Sequence, residues 1–283
     1  MGFQCGIVGL PNVGKSTLFN ALTQTALAQA ANYPFCTIEP NTGQVAVPDE
    51  RLEAIASLAK SARVVPTQMT CVDIAGLVRG AATGEGLGNK FLAHIREVDA
   101  IVHVLRCFED ENVVHVEGLV DPVADAETVN TELMLADMES LEKRIDPLTK
   151  KARGGDEESR MRLRVIDLAL SQLRAGRPAR LATVPATERK AFDELQLLTA
   201  KPVLYACNVA DTGSENPLVA TVAAMAAAEG ARAIAICASL EAEVAALTDP
   251  AERAEFLAAH GWKEPGLSQV IRAGYGLLNL ITF

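Results

Sequence analysis

The segment from Gly9 to Ser16 carries the residues of this sequence best suited to chemistry. It reads Gly-Leu-Pro-Asn-Val-Gly-Lys-Ser, with a lysine and a serine directly after the second glycine. This is the spacing of a P-loop, in which the glycines let successive backbone N–H groups turn toward one anion. The pattern predicts a lysine on the β- and γ-phosphates of a nucleotide and a serine on Mg²⁺. The predicted nucleotide contacts of this stretch are Asn12, Val13, Gly14, Lys15, Ser16 and Thr17. A glycine turn without a ligand is the structural alternative.

Thr37 and Asp73 are the further candidates for the Mg²⁺ site, beside Ser16. Thr37 lies in a proline-bounded segment and is either a plain loop threonine or a hydroxyl that joins Mg²⁺ when a γ-phosphate is present. Asp73 follows an apolar run and suits the Walker-B role of holding the metal, while Gly76 would let an N–H approach the γ-phosphate. Leu77 stands where GTPases carry the glutamine that orients the attacking water. Because leucine cannot hydrogen-bond water, the catalytic group must come from elsewhere, or turnover is slow until a partner supplies it.

The segment from Asn208 to Asp211 has the spacing of a base-reading element. It keeps the asparagine and the aspartate of the Asn-Lys-x-Asp pattern of GTPases but carries Val209 in place of the lysine. The Asp211 carboxylate can accept hydrogen bonds from guanine N1–H and N2–H₂, whereas adenine has no such pair of donors. A later strand runs into Ser239, where we expect a backbone N–H close to the base. The element therefore leaves both ATP and GTP open.

His115 is the histidine placed best for catalysis. It follows the predicted strand from Ala100 to Leu105, in a polar stretch at the carboxyl end, which is the ligand side of an open α/β sheet. By position alone it is either a catalytic residue or a structural one.

The elements around these residues predict a doubly wound α/β P-loop NTPase fold with a mostly parallel sheet. Short apolar runs alternate with helical patterns, as parallel strands buried on both faces require. The 283 residues carry a net charge of −10, which argues against nucleic-acid binding over the whole surface. The six cysteines are scattered without metal-ligand spacing, and no apolar run approaches the roughly 20 residues of a membrane span. We therefore expect a reduced, cytoplasmic setting and no membrane partner.

An α-helical coiled-coil hairpin is predicted as an insertion over residues 129–199. Apolar residues recur there at helical spacing on both sides of Gly154-Gly155, although Pro147 should kink the first helix or stop it early. The NTPase domain would then comprise residues 1–128 and 200–283. Between Lys143 and Lys190 the sequence has 13 Lys and Arg against 6 Asp and Glu, a local net charge of +7. The hairpin is thus either a contact for RNA or simply a solvated pair of helices.

With these segments the chain closely resembles the YchF subfamily of Obg-related P-loop NTPases, the Obg-like ATPases. The resemblance spans nearly the whole chain and rests on long motifs: Gly9 to Ser16, Pro34 to Asn41, Asp73 to Gly88, Glu264 to Leu267 and Arg272 to Tyr275. It implies an NTPase that binds ribosomes, often prefers ATP to GTP and has a hydrophobic residue in place of the catalytic glutamine. It also implies that His115 matches the proposed catalytic histidine of the family.

Two departures from the family pattern bear on function. Asp211 stands where the family usually has glutamate, which weakens the expected preference for adenine. Family members also continue into a small C-terminal TGS domain, whereas this sequence ends at Phe283, so we expect a truncated chain that lacks this module. The leading interpretation is a Mg²⁺-dependent NTPase that favours ATP over GTP. The alternatives are a nucleotide-gated binding switch with incidental hydrolysis and, more weakly, a small-substrate kinase.

Overall fold

The structure is a computed structural model that describes residues 3–30, 38–39, 41–74, 87–113, 115, 118–212 and 215–278. Its strands form one seven-stranded sheet in the order β2-β3-β4-β1-β5-β6-β7. The strands are β1 (Phe3–Val8), β2 (Ile38–Glu39), β3 (Thr42–Ala46), β4 (Gln68–Asp73), β5 (Ala100–Arg106), β6 (Val203–Asn208) and β7 (Arg232–Ile236). Neighbours from β4 to β7 are parallel, and β2 and β3 form an antiparallel edge. The predicted doubly wound, mostly parallel α/β fold is confirmed.

The central strands are mostly apolar, as expected for strands of a parallel sheet that is covered on both faces. Every residue of β5 and β6 is buried, including the polar His103 and Arg106. The five cysteines that the structure describes are buried free thiols; Cys36 lies outside the described residues.

The described part of the chain contains ten α-helices. They are α1 (Lys15–Ala30), α2 (Glu50–Ala59), α3 (Leu87–Glu97), α4 (Pro122–Arg153), α5 (Glu157–Arg174), α6 (Arg189–Asp193), α7 (Pro217–Ala228), α8 (Ala238–Ala246), α9 (Pro250–Ala259) and α10 (Gly266–Leu277). Each described helix is too short or too polar to cross a membrane.

The chain divides into two compact units. The first consists of Met1–Gly76, Val98–Asp125 and Val203–Phe283 and contains the sheet; the second consists of Leu77–Glu97 and Ala126–Pro202. The predicted domain boundaries, 128/129 and 199/200, stay a prediction.

The second unit is built on the predicted pair of helices. Buried residues of α5 pack around Leu141 of α4, and the chain that follows adds Phe192 and its neighbours to the same cluster. Pro147 does not stop α4 early, since the helix continues to Arg153. Pro147 is exposed, so water can reach the carbonyl that the missing N–H leaves without a helical partner.

A buried carboxylate ties this unit together. Asp137 of α4 accepts hydrogen bonds from the backbone N–H groups of Leu198 and Thr199, at 2.9 and 2.8 Å, and from the Thr199 hydroxyl at 2.7 Å. The same hydroxyl oxygen accepts from the Ala179 N–H at 3.0 Å. Burial raises the pKa of Asp137, and the hydrogen bonds oppose that rise. The network fixes the short 3₁₀ helix Leu198–Ala200 against α4.

Candidate nucleotide-binding site

The predicted P-loop leaves the carboxyl end of β1 and leads directly into α1 at Lys15. Gly14 has a φ of 96°, in the left-handed region that favours glycine. A Cβ atom at Gly14 would also collide with the side-chain amide nitrogen of Asn208. The second glycine of the motif is thus required both by its backbone and by a close neighbour from β6.

Lys15 is buried inside this loop, with 8% of its surface exposed. Its ammonium donates a hydrogen bond to the backbone carbonyl of Leu10 at 2.6 Å. Burial lowers the pKa of Lys15 from the ordinary 10.5 to about 8, although the Asp73 carboxylate opposes the shift. The protein itself therefore stabilises the ammonium form of Lys15 only in part.

Asp73 lies next to the first helical turn after this lysine. It ends β4, where the register of the parallel pair places it opposite Ile7 of β1. The Ser16 hydroxyl donates to Asp73 Oδ2 at 3.4 Å, while the buried Oδ1 has no hydrogen-bond partner among the described residues. Burial raises the pKa of Asp73, and Lys15 and Ser16 lower it in part.

A carboxylate oxygen without a partner beside a hydroxyl is a pair of hard ligands of the kind that Mg²⁺ prefers. Ser16 and Asp73 therefore fit this ion. Thr37, Gly76 and Leu77 lie outside the described residues, so their predicted roles stay predictions.

Asn208 joins three segments of the first unit. It ends β6, donates from Nδ2 to the carbonyl of Val13 at 3.0 Å, and accepts at Oδ1 from the N–H of Ala238 at 3.0 Å. One side chain thus connects the P-loop with the start of α8. Asn208, which belongs to the predicted base-reading element, therefore also positions the P-loop and the start of α8.

The rest of the predicted base-reading element follows Asn208. Val209 is buried, whereas Asp211 is exposed. The Cys237 thiol contacts the Ala210 carbonyl at 3.2 Å and the Ser239 hydroxyl at 3.3 Å, so the segments at 209–211 and 237–239 are neighbours. The structure brings Asp211 and Ser239 into this one region.

A cleft with a volume of about 630 Å³ opens beside Asp211. It is lined by Val209, Asp211, Thr212, Asn216, Pro217 and Ala220 among others. Trp262, from the segment between α9 and α10, donates its indole N–H to the Thr212 hydroxyl at 2.9 Å. His260 lies between Phe256 and Trp262, with ring centroids 4.4 and 5.5 Å away. An aromatic cluster therefore supports the loop that follows Asp211.

His115 lies in a second cluster, in the segment between β5 and α4. Its Nε2 atom is 2.9 Å from Asp125 Oδ2, and the two side chains are buried. Arg106, at the end of β5, donates to the backbone carbonyls of Phe108, Asp110 and Val113 at 3.0, 3.2 and 2.8 Å. His115 and Arg106 line a cleft with a volume of about 450 Å³.

The sequence had not indicated Asp125 or Arg106. Arg106 sits in an apolar strand pattern, and Asp125 follows His115 by ten residues in another element, so no periodicity or motif connects them. Only the fold brings these three side chains to one place.

These features define a P-loop NTPase of the GTPase type. A glycine loop with a lysine lies between β1 and α1, a carboxylate lies on the neighbouring strand, and an asparagine joins that loop to α8. In agreement, residues 4–143 match the family model described as 50S ribosome-binding GTPase. The chain belongs to the YchF family. It is 55% identical to the ribosome-binding ATPase YchF of Haemophilus influenzae and 48% identical to that of Bacillus subtilis, covering all of this chain and 78% of each relative.

The structure of the Schizosaccharomyces pombe YchF GTPase has the same fold. It superimposes with a TM-score of 0.85 at 36% identity, over 99% of this chain and 76% of that one. The family resemblance predicted from the motifs is confirmed.

Proposed function

We propose that this chain is a Mg²⁺-dependent, ribosome-binding NTPase that hydrolyses ATP, with GTP as the alternative, to the diphosphate and phosphate. The observation that carries the proposal is the buried Lys15 beside the Ser16 and Asp73 pair, with an oxygen of Asp73 that lacks a partner among the described residues. The curated relatives named ribosome-binding ATPase support it.

The tasks of these residues follow from their chemistry. Lys15 would leave the Leu10 carbonyl and bind the β- and γ-phosphates. The charged phosphate oxygens would form stronger hydrogen bonds with the ammonium than the neutral carbonyl does. Ser16 and Asp73 would hold Mg²⁺, joined by Thr37. When bound, Mg²⁺ neutralises charge on the β- and γ-phosphate oxygens.

The binding step is tested with Lys15→Ala. We expect the variant to lose nucleotide binding and to keep the melting curve of the wild type. Unchanged affinity in a folded variant would overturn the P-loop assignment.

Hydrolysis is assigned to His115 rather than to Leu77. An imidazole can orient water or accept a proton from it, whereas the leucine side chain can do neither. We expect His115→Ala to slow turnover by about 10²-fold, within the usual range for general acid–base groups, with little change in the Kd for nucleotide. Equal turnover in variant and wild type would assign His115 a structural role only.

The choice of base is the next part of the proposal. The names of the curated relatives favour ATP, whereas Asp211 retains the chemistry that accepts hydrogen bonds from guanine. Titration of the wild type with labelled ATP and GTP decides between them. Tighter binding of GTP would replace ATP as the assigned substrate and leave the P-loop assignment intact.

Ribosome binding is assigned to the basic stretch from Lys143 to Lys190, which includes the end of α4 and all of α5 and carries a net charge of +7. The arginines in the first half of α5 are already paired with carboxylates: Arg160 with Glu157, Arg162 with Glu158 and Arg164 with Glu188. At the end of α4, by contrast, Lys150, Lys151 and Arg153 are exposed, and the interaction of Lys151 with Asp156 is the one electrostatic contact that they form in the described part of the chain. These three cations, which we call the hairpin tip, are better placed to bind RNA phosphates.

The test compares two triple variants of equal charge change. Reversal of the hairpin tip to glutamate should weaken co-sedimentation with ribosomes and flatten its salt dependence, with nucleotide binding unchanged. Reversal of Arg160, Arg162 and Arg164 should have the smaller effect. Wild-type co-sedimentation in the tip variant would place the contact elsewhere.

A nucleotide-gated switch is the second candidate function. Leu77 favours it, since the usual water-orienting side chain is missing from that position. Turnover measured with and without ribosomes separates the two functions. A switch would show ribosome affinity that depends on the bound nucleotide, together with negligible turnover in both conditions.

A further inference from the structure

His115 forms a buried pair with Asp125, a residue that the proposed chemistry has not used. Their Nε2 and Oδ2 atoms are 2.9 Å apart, and the two side chains are only 4% and 3% exposed. Polar groups at such depth are costly unless they are matched, so a contact of this kind fixes the orientation of both.

Asp125 is itself held firmly by the first turn of α4. The N–H of Asp125 donates to the carbonyl of Asp121 at 2.9 Å. The Asp121 carboxylate in turn accepts from the N–H groups of Val123 and Ala124, both at 3.1 Å. This is the arrangement of a helix N-cap, so the carboxylate that faces His115 projects from a fixed backbone.

The segment that carries His115 is fixed at its other end by Arg106. The guanidinium of this fully buried residue donates to three carbonyls between residues 108 and 113 and lies over the Phe108 ring, 4.8 Å from its centroid. The segment is therefore held from β5 on one side, while His115 is held from α4 on the other.

We propose that Asp125 is a positioning residue for His115, which selects, within the neutral imidazole, the tautomer that carries its proton on Nε2. An aspartate carboxylate only accepts hydrogen bonds, so the Nε2 atom that faces it must be the donor. The lone pair then belongs to Nδ1, which becomes the atom able to act on water. The inference rests on the proposed role of His115 in hydrolysis and adds which nitrogen performs it.

The variant that tests this is Asp125→Asn, which keeps the shape of the side chain. An amide can present its N–H₂ group to Nε2, which would move the imidazole proton to Nδ1 and remove the acceptor from the reacting position. In serine proteases the same replacement behind the catalytic histidine is strongly harmful for this reason. The matched control is Asp121→Asn, which removes a charge from the same helix turn and keeps an effective N-cap residue.

Two readouts are combined. Nitrogen-15 NMR at a pH where the ring is neutral reports which nitrogen of His115 carries the proton, and His115→Ala identifies the signal among the four histidines. Single-turnover kinetics give the rate of hydrolysis and the Kd for nucleotide in each variant and in the double variant.

We expect the His115 proton on Nε2 in the wild type and on Nδ1 in Asp125→Asn. The variant should turn over about 10- to 10²-fold more slowly with an unchanged Kd, bounded by the loss expected for His115→Ala. Added to His115→Ala, Asp125→Asn should cost nothing more, and Asp121→Asn should behave as the wild type.

A wild-type proton on Nδ1 would overturn the inference, as would a rate loss that persists in the His115→Ala background. If His115→Ala is slow and Asp125→Asn is fully active, the positioning role of Asp125 is overturned and the proposed catalytic role of His115 stands. A fully active His115→Ala would overturn the proposed catalytic role of His115, and with it the positioning role of Asp125.

Discussion

Burial of Lys15 makes nucleotide binding depend on pH in a way that the structure predicts. In the free protein the pKa of Lys15 is about 8 instead of 10.5, because burial disfavours the ammonium. Bound phosphates favour the charged form and should return the pKa toward its ordinary value. Above pH 8, binding must therefore take up a proton.

The magnitude follows from the two pKa values. At pH 9, a group with a pKa of about 8 is roughly 90% neutral, so binding should take up about 0.9 proton. The affinity should be level between pH 7 and 8 and should then fall by about tenfold for each pH unit. The difference of about 2.5 pKa units corresponds to about 3 kcal/mol of interaction that the phosphates restore.

Isothermal titration calorimetry at pH 9 measures this proton directly. Titrations in two buffers of different ionisation enthalpy, without Mg²⁺, give the number of protons taken up. Burial raises the pKa of the Cys5 thiol and raises that of Cys71 to about 12, and a hydrogen bond with Cys207 together with burial raises the pKa of Cys107, so these thiols stay neutral at pH 9.

Lys15→Arg is the control, since a guanidinium does not titrate in this range. Any binding that it retains should show the same enthalpy in both buffers. A wild-type enthalpy independent of the buffer, with level affinity up to pH 9.5, would refute the reasoning.

Three further predictions concern separate residues. Asp73→Asn should abolish the dependence of nucleotide affinity on Mg²⁺, as titrations with and without EDTA would reveal; a retained dependence would move the metal to other ligands. Asp211→Ala should weaken GTP far more than ATP if the carboxylate reads the base, and equal losses in the two Kd values would show that it does not. Asp137→Ala should lower the free energy of unfolding by about 3–5 kcal/mol in urea, because it leaves two buried N–H groups without an acceptor. A loss below about 1 kcal/mol would contradict the importance of that network.

The local parts of the site could be predicted from the sequence because their geometry is local. The residues from Gly9 to Ser16 are contiguous, so their types and spacing largely determine the loop, and the apolar run before Asp73 places it at a strand end. These side chains meet because parallel strands end at one edge of the sheet.

Contacts between distant segments could not be predicted in this way. Asn208 bonds Val13 across 195 residues, and nothing in the motif indicates that bond. The pairing of Asp125 with His115 likewise depends on where α4 begins relative to the end of β5. Helix α4 continues through Pro147 because this proline is exposed, and the sequence alone does not reveal that exposure.

Trp262 gives this protein a built-in optical probe. It is the single tryptophan of the sequence, and its indole N–H is bonded to Thr212, directly after Asp211. Indole emission responds to hydrogen bonding and to neighbouring rings, so any rearrangement of the loop after Asp211 changes the fluorescence of the whole protein. A rearrangement of this loop on the binding of unlabelled nucleotides would then be followed in real time, in a signal that comes from one known position.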